Sequence, residues 1–311
     1  MPDFLIVSSD AEELANEINL LAETPLEIAS CTSAKQALAE YTAETVLFGR
    51  PDMIAEILPS LPAVNWVQSS WAGVDPLLAL DRRDYDLTGI KDVFGAQMSE
   101  YVFAHLLAHE LKLLKRNSEQ LEHNWYQVQS GSLQGKRLGI MGTGSIGRHI
   151  ANTAKSFGLS VTGLSRSGCS APGFDEVVQT GLLHDWLGKL DYLVSALPNT
   201  SGTDKLLDAA SLAELPAHCY LINVGRSNVL DEAALMNALS TQRLAGAALD
   251  VFDAEPLPQD SPLWNTPNLS ITAHIAAASH SSLIVPIFLE NYRRYRAGMD
   301  LKFKIDFEAG Y

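Results

Sequence analysis

Gly142-Thr143-Gly144-Ser145-Ile146-Gly147 follows an apolar run from Arg137 to Met141 and opens an amphipathic stretch that reaches Phe157. In a strand-to-helix turn of this kind the first glycine permits the bend and the second lets a pyrophosphate approach the backbone. The third lets helix and strand pack closely beneath the free amides of the helix N-terminus. A G-x-G-x-x-G match alone is weak. Here a second apolar run, Leu159 to Leu164, arrives at the spacing a βαβ unit requires, so the segment reads as a dinucleotide-binding turn.

An NAD site usually carries an acid about 20 residues past the glycines, where it holds the ribose hydroxyls. This chain has Ser165-Arg166-Ser167 instead. A guanidinium flanked by hydroxyls suits a 2′-phosphate, which a carboxylate would repel, so NADP(H) is expected in preference to NAD(H).

Working outward, strand-like runs alternate with helical patterns from the start: Phe4 to Val7, Ala11 to Ala22, Val46 to Phe48, Val64 to Gln68. Beyond the glycine turn, further strands are expected at Tyr192 to Ala196, Tyr220 to Val224, Ala245 to Leu249 and Leu269 to Thr272. This rhythm is α/β. The turn starts only at residue 142, so a separate α/β unit precedes it. The expected architecture is two Rossmann-like doubly wound domains. A smaller, flavodoxin-like substrate domain comprises residues 1–98 plus 283–311, and a dinucleotide-binding domain comprises 99–282. Long helical patterns, Gln97 to Leu121 and Ser281 to Tyr295, are the expected crossings between them. The tail from Leu301 to Tyr311 alternates Phe303, Ile305 and Phe307, as a short strand or packed arm returning to the first domain would.

The chain has 311 residues, 47% of them hydrophobic, enough for two real cores. Its formal net charge of -15 argues against nucleic acid or an anionic membrane surface as partner, since both reward clustered Lys and Arg. Cys31, Cys169 and Cys219 are scattered, form no C-x-x-C pair and suggest no disulfide framework or metal site; they read as buried fillers. The N-terminus reads as a first strand and not as a signal peptide, and no apolar run reaches membrane-spanning length, so a cytoplasmic protein is expected.

Open α/β sheets present ligands at the carboxyl ends of their strands, and three residues at the ends of late strands suit hydride-transfer chemistry. Arg226, in Asn223-Val224-Gly225-Arg226, can grip a substrate carboxylate with its fork. His274, in Thr272-Ala273-His274, is a natural proton donor to a carbonyl oxygen near neutral pH. Glu255, in the loop Leu249 to Pro258, would favour the charged, proton-donating imidazole. Each of the three, taken singly, also fits a structural or solvated side chain.

Taken together they carry a resemblance. Trp71-Ala72-Gly73-Val74-Asp75, the glycine turn, the Asn223 to Arg226 segment, and the Leu249 to Pro258 loop leading through Ser261-Pro262-Leu263-Trp264 to His274 resemble the D-isomer-specific 2-hydroxyacid dehydrogenase family in order and spacing, over essentially the whole chain. Within it, Trp71 to Asp75, Ser165-Arg166-Ser167 and the ending Asp306 to Tyr311 are most similar to the short NADPH-preferring glyoxylate and hydroxypyruvate reductases. The resemblance implies that Arg226 binds the substrate carboxylate and carbonyl, His274 donates the proton, and Glu255 orients and charges His274. It implies that amides around Ala72, Gly73 and Val74 hold the substrate carboxylate and that Asp250 meets the nicotinamide carboxamide. Leu197, Pro198 and Thr203 would flank the cofactor, as would Val224 and Gly225 beside Arg226. A homodimer is also implied. Two positions depart from the family pattern, Ser227 after the arginine and Ala273 before the histidine. Ser227 would be strained if the turn required a positive φ there.

The expected activity is NADPH-linked reduction of a small anionic 2-oxoacid in a cleft between the domains. Arg50, after the Val46 to Phe48 strand, is a candidate for a second polar group on the substrate, and Trp71 for an apolar wall limiting its bulk. Two other readings stay open: a dinucleotide-sensing regulatory protein of the same fold, and a dehydrogenase of a larger or phosphorylated hydroxyacid, for which Arg50, Arg82 and Arg83 are the arginines within residues 1–98.

Overall fold

A computed structural model describes residues 2–310; Met1 and Tyr311, the latter closing the C-terminal motif, lie outside the described residues. The chain forms two compact units. One consists of the residues up to Val93 together with those from Ser279 onward, and the other is Phe94–Ala278. These crossings fall a few residues before the expected 98/99 and 282/283. The helix expected from Gln97 already starts at Gly95 and its Gln97 bonds Ala278, so residues 94–98 belong with the second unit, while residues 279–282 go with the first.

The first unit starts with β1 (Phe4–Val7), α1 (Ala11–Leu21), β2 (Ile28–Cys31), α2 (Ala34–Glu40), β3 (Val46–Gly49) and α3 (Pro51–Ile57). It continues with β4 (Trp66–Ser69), α4 (Asp75–Leu78) and β5 (Asp86–Thr88). The strands form a parallel five-stranded sheet in the order β2-β1-β3-β4-β5, the flavodoxin-like arrangement. β1, β3 and β4 are buried along their full lengths, as strands covered on both faces must be. Leu5, Leu47 and Val67 point into one apolar cluster, and alternation sends Phe4, Phe48 and Trp66 to the other face.

The second unit comprises α5 (Gly95–Glu110), α6 (Leu113–Leu121), β6 (Arg137–Met141), α7 (Ser145–Ser156), β7 (Ser160–Ser165), β8 (Glu176–Gln179), α8 (Leu183–Leu187) and β9 (Tyr192–Ser195). It ends with α9 (Ala209–Glu214), β10 (Tyr220–Asn223), α10 (Glu232–Ser240), β11 (Gly246–Leu249) and β12 (Leu269–Ile271). Its parallel seven-stranded sheet runs β12-β11-β10-β9-β6-β7-β8. The order reverses between β6 and β9, which is where a doubly wound sheet opens its ligand crevice. Apolar clusters pack on the sheet.

The chain then returns to the first unit through α11 (Ser281–Arg296), whose Phe288 stacks on Phe48 with centroids 4.3 Å apart and meets Phe4 edge-on at 4.8 Å. The tail is a packed arm: Lys304 bridges Thr88, Ile305 is buried, and Phe307 packs edge-on against Tyr85.

Two expectations are corrected. The helical pattern from Gln97 to Leu121 is broken at Lys112, which adopts a left-handed backbone (φ 54°), and Leu114 just beyond it is 73% exposed. Cys169 is exposed in the loop after β7, whereas Cys31 and Cys219 are buried. No helix among the described residues is long and apolar enough to cross a membrane.

Candidate active site

Because every strand pair of the second unit is parallel, the turns after β6, β7, β9, β10, β11 and β12 emerge on one edge of its sheet. Each residue expected in the site from this unit lies on one of those turns or in the loop that follows. The glycine turn leaves β6 at the reversal point. Gly142 has φ 103°, and a Cβ there would stand 2.9 Å from the carbonyl oxygen of Ala196 at the end of β9. A Cβ on Gly147 would stand 1.9 Å from the carbonyl oxygen of Gly142, so the helix can start this close to the strand only with glycine. Gly144 differs: apart from its immediate chain neighbours, a Cβ there would meet nothing within 4 Å among the described residues. Gly144 is the N-cap residue of α7, so the helix N-terminus is left open on that side, where a phosphate group is favoured.

At the end of β7, the Ser165 hydroxyl accepts the Gly168 amide and the Ser167 hydroxyl accepts that of Cys169, folding the backbone around Arg166. Arg166 is exposed, and no carboxylate among the described residues pairs with it. After β9, the Thr203 hydroxyl donates to the Pro198 carbonyl at 2.8 Å and accepts from Asn228, tying the loop that begins at Leu197 to the segment beyond Arg226.

At the end of β10 the buried Asn223 shapes the arginine's turn: its amide donates to the Arg226 carbonyl at 3.0 Å and its carbonyl accepts the Gly225 amide at 3.1 Å. Val224 is buried beneath. Arg226 is half-buried and extended (φ -134°), with Nη1 on the Gly225 carbonyl. Ser227 opens a short 3-10 turn and has no positive φ, so this departure from the family pattern brings no backbone strain.

His274 follows β12 with a left-handed backbone (φ 56°), unfavourable by roughly 1–2 kcal/mol for a residue with a Cβ. Its Nδ1 lies 2.8 Å from Glu255 Oε2. A carboxylate only accepts, so Nδ1 carries a hydrogen and Nε2 is the atom left for substrate chemistry. The other Glu255 oxygen accepts the Phe252 amide at 2.9 Å, which fixes the carboxylate. Asp250, at the end of β11, is only 2% exposed. Its Oδ1 accepts the Thr272 hydroxyl at 2.6 Å and the Ile275 amide at 2.9 Å, and its Oδ2 accepts the Ala276 amide at 2.9 Å. Its side chain therefore lies under the segment that carries His274.

The carboxyl edge of the first unit has its own cluster. The Ser69 hydroxyl bonds both amide and carbonyl of Trp71, bending the chain into Ala72, Gly73 and Val74 ahead of α4. Arg50 follows β3 and is held bidentately by Asp52, at 3.1 and 2.6 Å, with its guanidinium carbon 4.7 Å from the centre of the Trp71 ring. The Asp52 bond raises the Arg50 pKa above its ordinary value. Arg82 is spent on the carbonyls of Leu58, Leu61 and Val64, and Arg83 on those of Leu78 and Leu80.

A cavity of about 1010 Å³ lies at the opposite edge of the second sheet, lined by His105, His109, Tyr220, Gly246 and Ser270, away from these turns. Asn223 and Thr272 stand in sequence motifs whose apparent chemistry lies in their neighbours, and Tyr101 stands inside a helical pattern. Their value lies in side-chain bonds, which carry no periodic signal.

A model of the D-isomer specific 2-hydroxyacid dehydrogenases, NAD binding domain, matches residues 103–276, more than half of the chain. The chain belongs to this family. This 2-hydroxyacid dehydrogenase is 40% identical to a D-isomer specific 2-hydroxyacid dehydrogenase family protein of Aeromonas salmonicida, with 98% of each chain covered and a TM-score of 0.93. It is 27% identical to the NADPH-dependent glyoxylate/hydroxypyruvate reductase of Sinorhizobium meliloti, solved in complex with NADP and sulfate, over 99% of each chain with a TM-score of 0.89. It is also 31% identical to glyoxylate/hydroxypyruvate reductase A of Salmonella paratyphi B over 70% of both chains. The two Rossmann-like domains and the oxidoreductase class expected of the family hold for this dehydrogenase.

Proposed function

We propose that this dehydrogenase reduces a small 2-oxoacid, glyoxylate or hydroxypyruvate, to the D-2-hydroxyacid with NADPH. The observation that carries the reading is the Glu255–His274 pair, 2.8 Å apart, on the same sheet edge as a phosphate-binding turn and Arg226. Gly142 to Gly147 and the N-terminus of α7 would hold the pyrophosphate, and Ser165, Arg166 and Ser167 the 2′-phosphate. Leu197, Pro198, Thr203, Val224 and Gly225 would flank the rest of the cofactor. When bound, the nicotinamide supplies the hydride. Arg226 binds the substrate's carboxylate and polarises its carbonyl. His274 donates the proton on Nε2 to the carbonyl oxygen as the carbon is reduced, and Glu255 keeps the imidazole oriented and stabilises its charged form. One 2-oxoacid, one hydride and one proton give one 2-hydroxyacid.

The NADPH preference is supported by Arg166 at the end of β7, which no carboxylate among the described residues pairs with, and by relatives described as NADPH-dependent or solved with NADP or NADPH. A phosphorylated substrate is disfavoured, because Arg82 and Arg83 are occupied by backbone carbonyls. A homodimer accords with the exposed apolar side chains Leu113, Leu114, Leu121, Trp125 and Val128, and a cytoplasmic setting with free thiols at Cys31 and Cys219.

The test is steady-state kinetics on glyoxylate and hydroxypyruvate with both cofactors. NADPH is expected to be the more efficient, and Arg166→Ala to lose roughly tenfold to a hundredfold of NADPH affinity, as removal of a charged hydrogen bond does. No turnover of either oxoacid, or equal NADPH affinity in both proteins, overturns the corresponding half.

A further inference from the structure

The left-handed backbone at His274 needs an external support, and the bonds around it identify one. The His274 amide donates to the Asp250 carbonyl at 2.8 Å, and the next two amides, Ile275 and Ala276, donate to the Asp250 carboxylate at 2.9 Å each. The same carboxylate accepts the Thr272 hydroxyl at 2.6 Å, and Thr272 Oγ1 lies 2.7 Å from the Tyr101 hydroxyl. A threonine has one hydroxyl hydrogen, and it is already given to Asp250. The Tyr101 hydroxyl must therefore be the donor in the last pair. Burial pushes the Tyr101 pKa up to about 12, so this hydrogen is present throughout the working range. The bonds all run one way, from Tyr101 to Thr272 to Asp250.

Tyr101 lies on α5, one helical turn after Gln97. Gln97 accepts the Ala278 amide at 2.9 Å and donates to the Ala278 carbonyl at 3.1 Å. One face of one helix thus grips the segment carrying His274 at both ends, at Thr272 and at Ala278. The ring of His105, a further turn along, lies 4.5 Å from that of Tyr101 and backs it.

We propose that Tyr101 is a positioning residue for proton transfer, acting through Thr272 and Asp250 to fix the backbone that aims His274. This rests on His274 being the proton donor, and it adds that α5, which contributes no reacting group, sets the donor's aim. A misplacement of about 1 Å is enough to lower turnover strongly.

The experiment measures kcat, the NADPH dissociation constant by cofactor fluorescence, and hydrogen exchange of the free protein across residues 272–278. The set is wild type, Tyr101→Phe, Thr272→Val, Thr272→Ser, the Phe/Val double variant and His274→Ala. Tyr101→Phe should lower kcat about threefold to tenfold and Thr272→Val about tenfold or more, with NADPH affinity unchanged and faster exchange at Ile275 and Ala276. Thr272→Ser should keep wild-type kcat, and the double variant should lose no more than Thr272→Val alone. Unchanged kcat and exchange in Tyr101→Phe, additive losses in the double variant, or a loss of NADPH affinity in step with kcat overturns the proposal while His274 stands. Near-normal turnover by His274→Ala instead removes the proton donor, and the proposal with it.

Discussion

At the scale of single residues, the neighbours of Arg50 decide what it can recognise. Asp52 takes two of its N–H groups and neutralises its charge, and Ser9 lies 3.3 Å from Nη1, while the flat face rests on Trp71. A guanidinium so paired suits a hydroxyl better than a second carboxylate. Arg50→Ala should therefore lower kcat/KM for hydroxypyruvate by about tenfold and leave glyoxylate, which has no distal group, nearly unaffected. Equal changes for both substrates would leave Arg50 without a recognition role. The glycines of the turn make a sharper pair. Gly147→Ala forces a Cβ to 1.9 Å from a carbonyl oxygen, so thermal stability should drop even without cofactor. Gly144→Ala adds a Cβ that meets nothing among the described residues beyond its immediate chain neighbours, so its melting temperature should stay close to wild type while NADPH binding falls severalfold or more. A Gly144→Ala protein with wild-type NADPH affinity would show that the phosphates lie elsewhere.

At the scale of elements, most of the readable strands are buried on both faces, because an apolar run bounded by polar turns has few other uses; β12, half-buried at the sheet edge, was readable as well. β1 and β6 match the residues expected from sequence, and β9, β10 and β12 lie within one residue of them at each end. The site was legible for the same reason, since parallel strands deliver Arg226, Glu255 and His274 to one edge. What sequence did not reveal was the short strands β2, β5 and β8 and the break at Lys112, where a continuous apolar periodicity hides a left-handed residue. α11 offers a test of its own. Glu290 is bonded by Arg293 and Arg294 at 2.8 Å each and paired with Lys302 at 3.3 Å, and the Arg293 bond foremost holds its pKa down to about 2, from 4.5. Between those values the unfolded chain binds a proton that the folded one does not, so the contribution is complete above pH 4.5 and fades as pH falls toward 2. Urea midpoints at pH 5 and pH 3 should differ less in Glu290→Gln than in wild type, and an equal difference would mean that the cluster is too well solvated to matter.

At the scale of the whole molecule, the exposed Leu113, Leu114, Leu121 and Trp125 should be covered by a second copy in solution. Light scattering is expected to give twice the chain mass of 33.8 kDa, falling to that mass in a Leu121→Ser/Trp125→Ser variant. A wild-type mass of one chain would refute the dimer. The position of Phe288 has a consequence for how the protein is made. The aromatic face formed by Phe4, Phe48 and Trp66 leaves the ribosome well before its cover, which is on α11 and follows the whole of the second unit in the chain. At about 5–20 residues per second, several tenths of a minute pass before that cover emerges, and in the interval the continuous stretch Phe94–Ala278 can complete its own sheet. The unit begun first is finished last, so during synthesis its uncovered aromatic face is the surface on which chaperones and aggregation compete.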